Sequence, residues 1–106
     1  LLYADEGQIS QIIINLVKNA IQAEADKIEI TAEINLSECV IINVFNNGTP
    51  ISKDSQDEIF IPFFTTKQDG TGIGLSLSRQ IMRLHNGSLN LTRSDEEGTV
   101  FTLVFK

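Results

Sequence analysis

The sequence predicts an α+β fold, a two-layer α/β sandwich in which a mixed sheet is covered by helices on one face. Apolar residues recur at helical spacing in two stretches, and they alternate with polar residues in four others. The order is helix, two strands, loop, helix, two strands, which places both helices against one sheet. With 106 residues the chain suits one domain, 1–106, with a modest core.

The first helix is expected from Asp5-Glu6-Gly7-Gln8, where Asp5 can cap first-turn amides and Gln8 can reach back to it. Ile9, Ile12, Ile13, Leu16, Val17 and Ala20 then recur at helical spacing. The opposite stripe is Gln8, Gln11, Asn15, Asn19 and Gln22, amides where an ordinary solvent face would carry Lys and Glu. Ile28, Ile30, Ala32 and Ile34 share one strand face; Val40, Ile42 and Val44 share a face of the next, with Asn35 to Glu38 as the hairpin turn. Asn46 to Lys53 breaks regular structure, and a short helix is expected over 55–59. Residues 60–72 have no sustained period and read as a mobile loop, with 65–71 unordered when no ligand is bound. A second long helix is expected from near Gly72 through Ile73, Leu77, Ile81 and Leu84 to a stop at Asn86-Gly87. Strands over 88–93 and 99–105 follow, joined by a turn at 95–98.

A net charge of −6 argues against a nucleic-acid binder, which needs a basic footprint. It leaves room for a phosphate ligand, since backbone amides and a metal ion neutralise charge locally. Cys39 stands alone, which excludes a disulfide framework, and is expected as a small buried hydrophobe. No apolar run reaches the ~20 residues of a membrane-spanning helix, and no secretory leader is visible. The chain opens at Leu1-Leu2-Tyr3 without an initiator Met and is read as a fragment of a longer protein.

Several constellations could carry chemistry. Asn15 and Asn19 are four apart and project from one helix face. A carboxamide oxygen is a hard, neutral ligand suited to Mg²⁺, although polar helix faces are also ordinary. Gly70-Thr71-Gly72-Ile73-Gly74-Leu75 precedes a helix; its glycines permit close backbone approach, and the helix start offers free N–H groups to an anion. The bland reading is a flexible linker. A Walker loop is excluded because no Gly is followed by Lys, and a Rossmann fingerprint because position 77 is Leu. Asn46-Asn47-Gly48-Thr49-Pro50-Ile51 closes a strand, where an Asn oxygen could accept from an exocyclic amine or merely shape a turn. Phe60, Phe63 and Phe64 either anchor the loop or form a hinge for a lid, from which Lys67 could reach a phosphate. Thr99, after Gly98, could point its hydroxyl into a pocket or simply open a strand.

In this order the pieces resemble the Bergerat-fold ATPases shared by gyrase, the Hsp90 chaperones, MutL and histidine kinases. They look most like the catalytic ATP-binding domain of sensor histidine kinases. Asn15 to Ala20 is similar to the N box, Phe60 to Phe64 to the F box, and Gly70 to Leu75 to the G2 box. Gly98-Thr99 matches the last glycine box, and Arg83 to Gly87 resembles the segment after the long helix. The similarity runs from about Asp5 to Phe105. It implies ATP and Mg²⁺ as ligands, with Asn19 on the metal and Asn15 and Gln22 beside the triphosphate. Asn46, with Gly48, would meet the adenine amine; Ile51 and Phe64 would flank the pocket, and Thr99 would close it. Lys67 would sit on the lid, and Gly70, Thr71, Gly72, Ile73, Gly74 and Leu75 would line the phosphates.

Two departures from the family pattern bear on function. The G1 box normally reads Asp-x-Gly-x-Gly, whereas here it is Asn46-Asn47-Gly48-Thr49-Pro50. An uncharged acceptor at Asn46 would lower adenine affinity by ~1 kcal/mol, and Pro50 fixes φ where the family has Gly. Secondly, the gyrase, Hsp90 and MutL relatives place a Glu base four residues before the Mg²⁺-binding Asn. Here that position is Asn15, which cannot act as a base, so no catalytic base is assigned on this domain.

The resemblance therefore implies phosphoryl transfer to a neutral imidazole rather than hydrolysis. His85 is the only histidine and is read as structural, so the acceptor would lie on an upstream histidine-containing dimerisation domain. The further partner implied is a response regulator receiver domain, with no nucleic acid. The parent is expected to be a homodimer, with this domain cytoplasmic and a membrane anchor elsewhere in the parent. The alternatives are a degenerate fold serving as a non-catalytic interaction module, and a serine kinase of the anti-sigma type. The latter would need an acidic base near Asn15.

Overall fold

The computed structural model describes residues 6–56, 58–61 and 74–105. Its elements are α1 (Glu6–Gln22), β1 (Ile28–Ile34), β2 (Val40–Asn46), α2 (Lys53–Gln56), α3 (Gly74–Leu84), β3 (Gly87–Asp95) and β4 (Gly98–Phe105). The expected cap at Asp5 and most of the residues expected in the loop and glycine box lie outside the described residues.

Alternation builds the sheet. In β4, Thr99, Phe101, Leu103 and Phe105 are buried, while Val100, Thr102 and Val104 are half-exposed on the other face. The α1 stripe meets the inner face: Ile12 and Leu16 cluster with Ile81 and Met82 of α3 and with Val44, Leu89, Phe101, Leu103 and Phe105. The two-layer α+β sandwich is therefore present, with α1 and α3 on one face.

The sheet order is β1-β2-β4-β3. The expected mixed sheet is corrected, since every pairing among the described residues is antiparallel. The physical reason lies in the crossover. The passage from β2 through α3 returns β3 in the same direction as β2, but β4 inserts between them and turns both pairings antiparallel.

Two further expectations are corrected, on the short helix and on Cys39, while the second long helix is present as expected. The short helix lies at Lys53–Gln56 rather than 55–59, because the Ser52 carbonyl accepts from Ser55 and Gln56 N–H at 3.0 and 3.1 Å and starts the turn early. On α3 the buried residues are Ser78, Ile81 and Met82, whereas Leu77 and Leu84 are 43% and 71% exposed. The helix is wedged between α1 and β3, and the small Ser78 permits the close approach that a leucine would block. Cys39 is half-buried at the hairpin, not in the core.

The helix ends follow capping chemistry. Asn86 takes a left-handed φ of 58° after α3, as its place before Gly87 suggested. Glu24 does the same after α1 with φ 62°, while the Ala25 N–H reaches the Ala20 carbonyl at 3.1 Å. A non-glycine residue there costs about 1–2 kcal/mol.

Candidate functional site

The inner face of the sheet is apolar except at one end, where Asn46 and Thr99 stand opposite each other on β2 and β4. Both are buried, at 5% and 2% exposure, so their polar groups need defined partners. Asn46 Oδ1 accepts from the Gly48 N–H at 2.9 Å, which fixes the amide with its oxygen toward the turn. That oxygen keeps a second lone pair for a further donor. Thr99 Oγ1 lies 2.7 Å from Ser94 Oγ, and Ser94 Oγ also accepts the Ile51 N–H at 2.7 Å. The loop after β2, the start of β4 and the end of β3 are thus joined at one point.

Two glycines make this convergence possible. A Cβ on Gly48 would stand 2.7 Å from the Ala23 carbonyl oxygen, so only glycine lets this loop lie against the end of α1. The Thr49 N–H donates to that same carbonyl at 2.8 Å. At Gly98, φ is 151° and a Cβ would fall 2.1 Å from Phe45 Cε2 and 2.9 Å from the Asn46 carbonyl oxygen. Gly98 thereby sets Thr99 in register with Asn46. The remaining asparagine, Asn47, staples the turn after α1, its Oδ1 accepting from Asp26 and Lys27 N–H at 2.8 and 2.9 Å.

The amide stripe of α1 forms a second polar surface. Asn15 is half-buried; its Nδ2 donates to Ser78 Oγ at 3.0 Å, and its Oδ1 accepts from Gln11 Nε2 at 3.1 Å. It therefore links α1 to α3, and it is no base. Asn19 is half-buried one turn further on, and Gln22 is exposed at the end of the helix. Leu75, at the start of α3, packs against the core cluster, as does Ile51 from the loop after β2. Gly74 is helical. The expected site residues Phe64, Lys67, Gly70, Thr71, Gly72 and Ile73 lie outside the described residues.

Phe60 does anchor its turn. Its ring meets Phe101 edge-on, with centroids 6.4 Å apart, and the Arg79 guanidinium stacks 3.9 Å from its centre. Arg79 also donates to the Leu89 carbonyl and to Asn90 Oδ1, at 3.2 and 2.9 Å, which ties α3 to β3. Burial, and then the charge of Arg83, lower its proton affinity from the ordinary arginine value. His85 is structural: Nδ1–H donates to the Ile81 carbonyl at 2.8 Å, one turn back on the same helix.

The sequence did not point to Ser94, Ser78 or Arg79. A serine among the large side chains of a helical stripe was a usable signal for Ser78, and Asn47 belongs to the Asn-Asn-Gly turn that the sequence marked. Nothing in the local pattern marked Ser94.

The described residues thus form a two-layer sandwich with a polar sheet end beside an amide-lined helix. A family model described as histidine kinase-, DNA gyrase B- and HSP90-like ATPase matches residues 4–106, and the chain belongs to that family. It is 38% identical over 104 residues to the sensor histidine kinase ZraS of Salmonella typhi, covering 96% of this chain and 22% of that protein. It is 33% identical over 104 residues to sporulation kinase D of Bacillus subtilis, covering 97% of this chain and 21% of that protein. The chain thus spans about a fifth of the length of these curated relatives.

Among solved structures it is similar to the nucleotide-free catalytic domain of histidine kinase ThkA. That match has TM-score 0.82 and 41% identity, and covers 98% of this chain and 69% of that one. Full-length ShkA in complex with AMPPNP matches with TM-score 0.86 and 28% identity, over 98% of this chain and 22% of that one. No helix among the described residues is long and apolar enough to cross a membrane.

Proposed function

We propose that this domain binds Mg-ATP and donates the γ-phosphoryl group to a histidine on a separate dimerisation domain, for onward passage to a response regulator receiver domain. The observation that carries the reading is the buried Asn46–Thr99 pair at the end of an otherwise apolar sheet face. A purine offers an amine and ring nitrogens to such a pair, and apolar walls such as Ile51 suit its faces. Asn46 Oδ1, with its second lone pair, would accept from the adenine amine, and Thr99 would meet the ring edge.

The α1 amides fit the other end of the nucleotide. A neutral carboxamide oxygen at Asn19 suits Mg²⁺, which takes few protein ligands and completes its shell with phosphate oxygens and water. When bound, the ion would neutralise charge on the triphosphate. Asn15 and Gln22 lie on the same helix face, and the positive end of the α3 dipole favours an anion.

The absence of a base at Asn15 favours transfer over hydrolysis. Its amide is committed to Ser78 and Gln11, so it cannot activate water. A neutral imidazole nitrogen needs no such help, and catalysis becomes positioning and charge neutralisation. His85 is held by its own helix, so the acceptor belongs to another domain of a homodimeric parent, with this domain on the cytoplasmic side and any membrane anchor elsewhere in that parent. The competing reading, a non-catalytic interaction module, draws on the Gly48 N–H already bonded to Asn46 Oδ1, where the family has a charged carboxylate.

Calorimetric titration with a non-hydrolysable ATP analogue, with and without Mg²⁺, decides between them. The kinase reading expects saturable binding that Mg²⁺ tightens, and loss of the Mg²⁺ effect in Asn19→Ala. No heat of binding at millimolar ligand would favour the interaction module.

A further inference from the structure

The register of β3 against β4 slips by one residue between Leu91, opposite Phe101, and Arg93, opposite Val100. Thr92 is the extra residue of a β-bulge. Strict alternation from Leu91, which faces the core, would turn Arg93 inward and Ser94 outward. The bulge reverses both: Arg93 stands on the outer face and pairs with Asp95 at 3.5 Å, and Ser94 faces inward opposite Thr99. The bulge is itself anchored on the outer face. Thr102 Oγ1 donates to Asn43 Oδ1 at 2.7 Å, so the short contact between the Thr92 and Thr102 hydroxyls has Thr92 as donor.

We infer that Ser94 is a positioning residue of the adenine pocket, delivered there by the Thr92 bulge. The inference rests on the nucleotide-binding reading and goes beyond it by adding a residue from β3 to the base-binding end. Ser94 Oγ holds the Ile51 N–H and the Thr99 hydroxyl together, both at 2.7 Å, so one side chain sets both the apolar wall at Ile51 and the ring-edge hydroxyl at Thr99. The two hydroxyls have two protons and four lone pairs. Their mutual bond and the Ile51 N–H use one proton and two lone pairs. One proton and two acceptor sites remain, which lets the pair donate to a ring nitrogen of a purine. Removing Ser94 frees Thr99 to rotate and leaves the Ile51 amide without its acceptor.

The test is Ser94→Ala in the 106-residue chain, titrated with three probes: a non-hydrolysable Mg-ATP analogue, adenosine, and Mg-tripolyphosphate. Ser94→Ala should weaken the analogue and adenosine by the same factor, roughly five- to tenfold for one neutral hydrogen bond. Tripolyphosphate, which lacks a base, should bind as to the unaltered chain. Ser94→Thr, which restores a hydroxyl on a β-compatible side chain, should recover the adenosine affinity. Amide exchange at Ile51 should quicken in Ser94→Ala and return to its original rate in Ser94→Thr. Unchanged adenosine affinity in Ser94→Ala, against an unaltered chain that binds, would overturn the inference and leave the nucleotide reading standing. Equal losses for all three probes would also overturn it, because the role would then be general to the fold. Failure of the unaltered chain to bind any nucleotide would overturn both.

Discussion

β1 and β4 carry the same alternation of apolar and polar residues, yet the structure uses them differently. In β4 the inward residues Phe101, Leu103 and Phe105 are all buried against α1 and α3. In β1 the inward residues Ile30 and Ile34 are 49% and 71% exposed, although Ile30 pairs with the buried Val44. β4 lies in the middle of the sheet and β1 at its edge, where the described helices leave Ile30 and Ile34 uncovered. Period-2 patterning therefore tells which face a side chain takes; the topology tells whether anything covers that face. The candidate site follows the covered part. Asn46, Ser94 and Thr99 sit where β2, β4 and β3 meet under close packing, and the β1–β2 turn lies at the opposite end of these strands.

The largest expected contrast comes from truncating one residue in each strand. Phe101→Ala removes a buried ring that also supports Phe60, and should cost about 3–5 kcal/mol by urea unfolding. Ile34→Ala should stay within about 0.5 kcal/mol. Similar losses at both positions would mean that β1 is covered after all. Gly98→Ala should cost about 2 kcal/mol or more, because the added Cβ meets Phe45 at a φ that only glycine tolerates. It should also weaken nucleotide binding by displacing Thr99; a stable variant that binds normally would sever Gly98 from the site.

Ser78→Ala should cost about 1 kcal/mol, the worth of one hydrogen bond from Asn15, and loosen α1 against α3. Glu24→Gly should raise stability by about 0.5 kcal/mol. Relief of the left-handed strain slightly outweighs the greater freedom glycine gives the unfolded chain. A drop in melting temperature would contradict that sign.

The particular elements show what could be read from sequence and what could not. The Asn35 turn and both β1 and β2 lie where alternation put them, since a hairpin is specified locally by its pattern and turn residues. The α1 stripe was equally legible, and so was the span of α3. Which residues α3 buries was not, since the small Ser78, bonded to Asn15, is buried there while Leu77 is exposed. The insertion of β4 between β2 and β3 is a property of topology that no local window carries. Ser94 was hidden for a sharper reason. In Leu91-Thr92-Arg93-Ser94 a one-residue bulge exchanges inside for outside, and nothing in those four side chains announces it. Asn15, Asn19, Asn46 and Thr99 were legible as chemistry, and the structure brings Asn46 and Thr99 face to face.

In the function proposed above, the polar sheet end and the amide face of α1 together receive Mg-ATP. An amide-resolved NMR titration of this chain with a non-hydrolysable ATP analogue and Mg²⁺ tests it most directly. Saturable shifts are expected at Asn46, Gly48, Ile51, Ser94 and Thr99 and around Asn19, with residues 30–38 unmoved. Shifts concentrated in the β1–β2 hairpin, or none at saturating ligand, would contradict it.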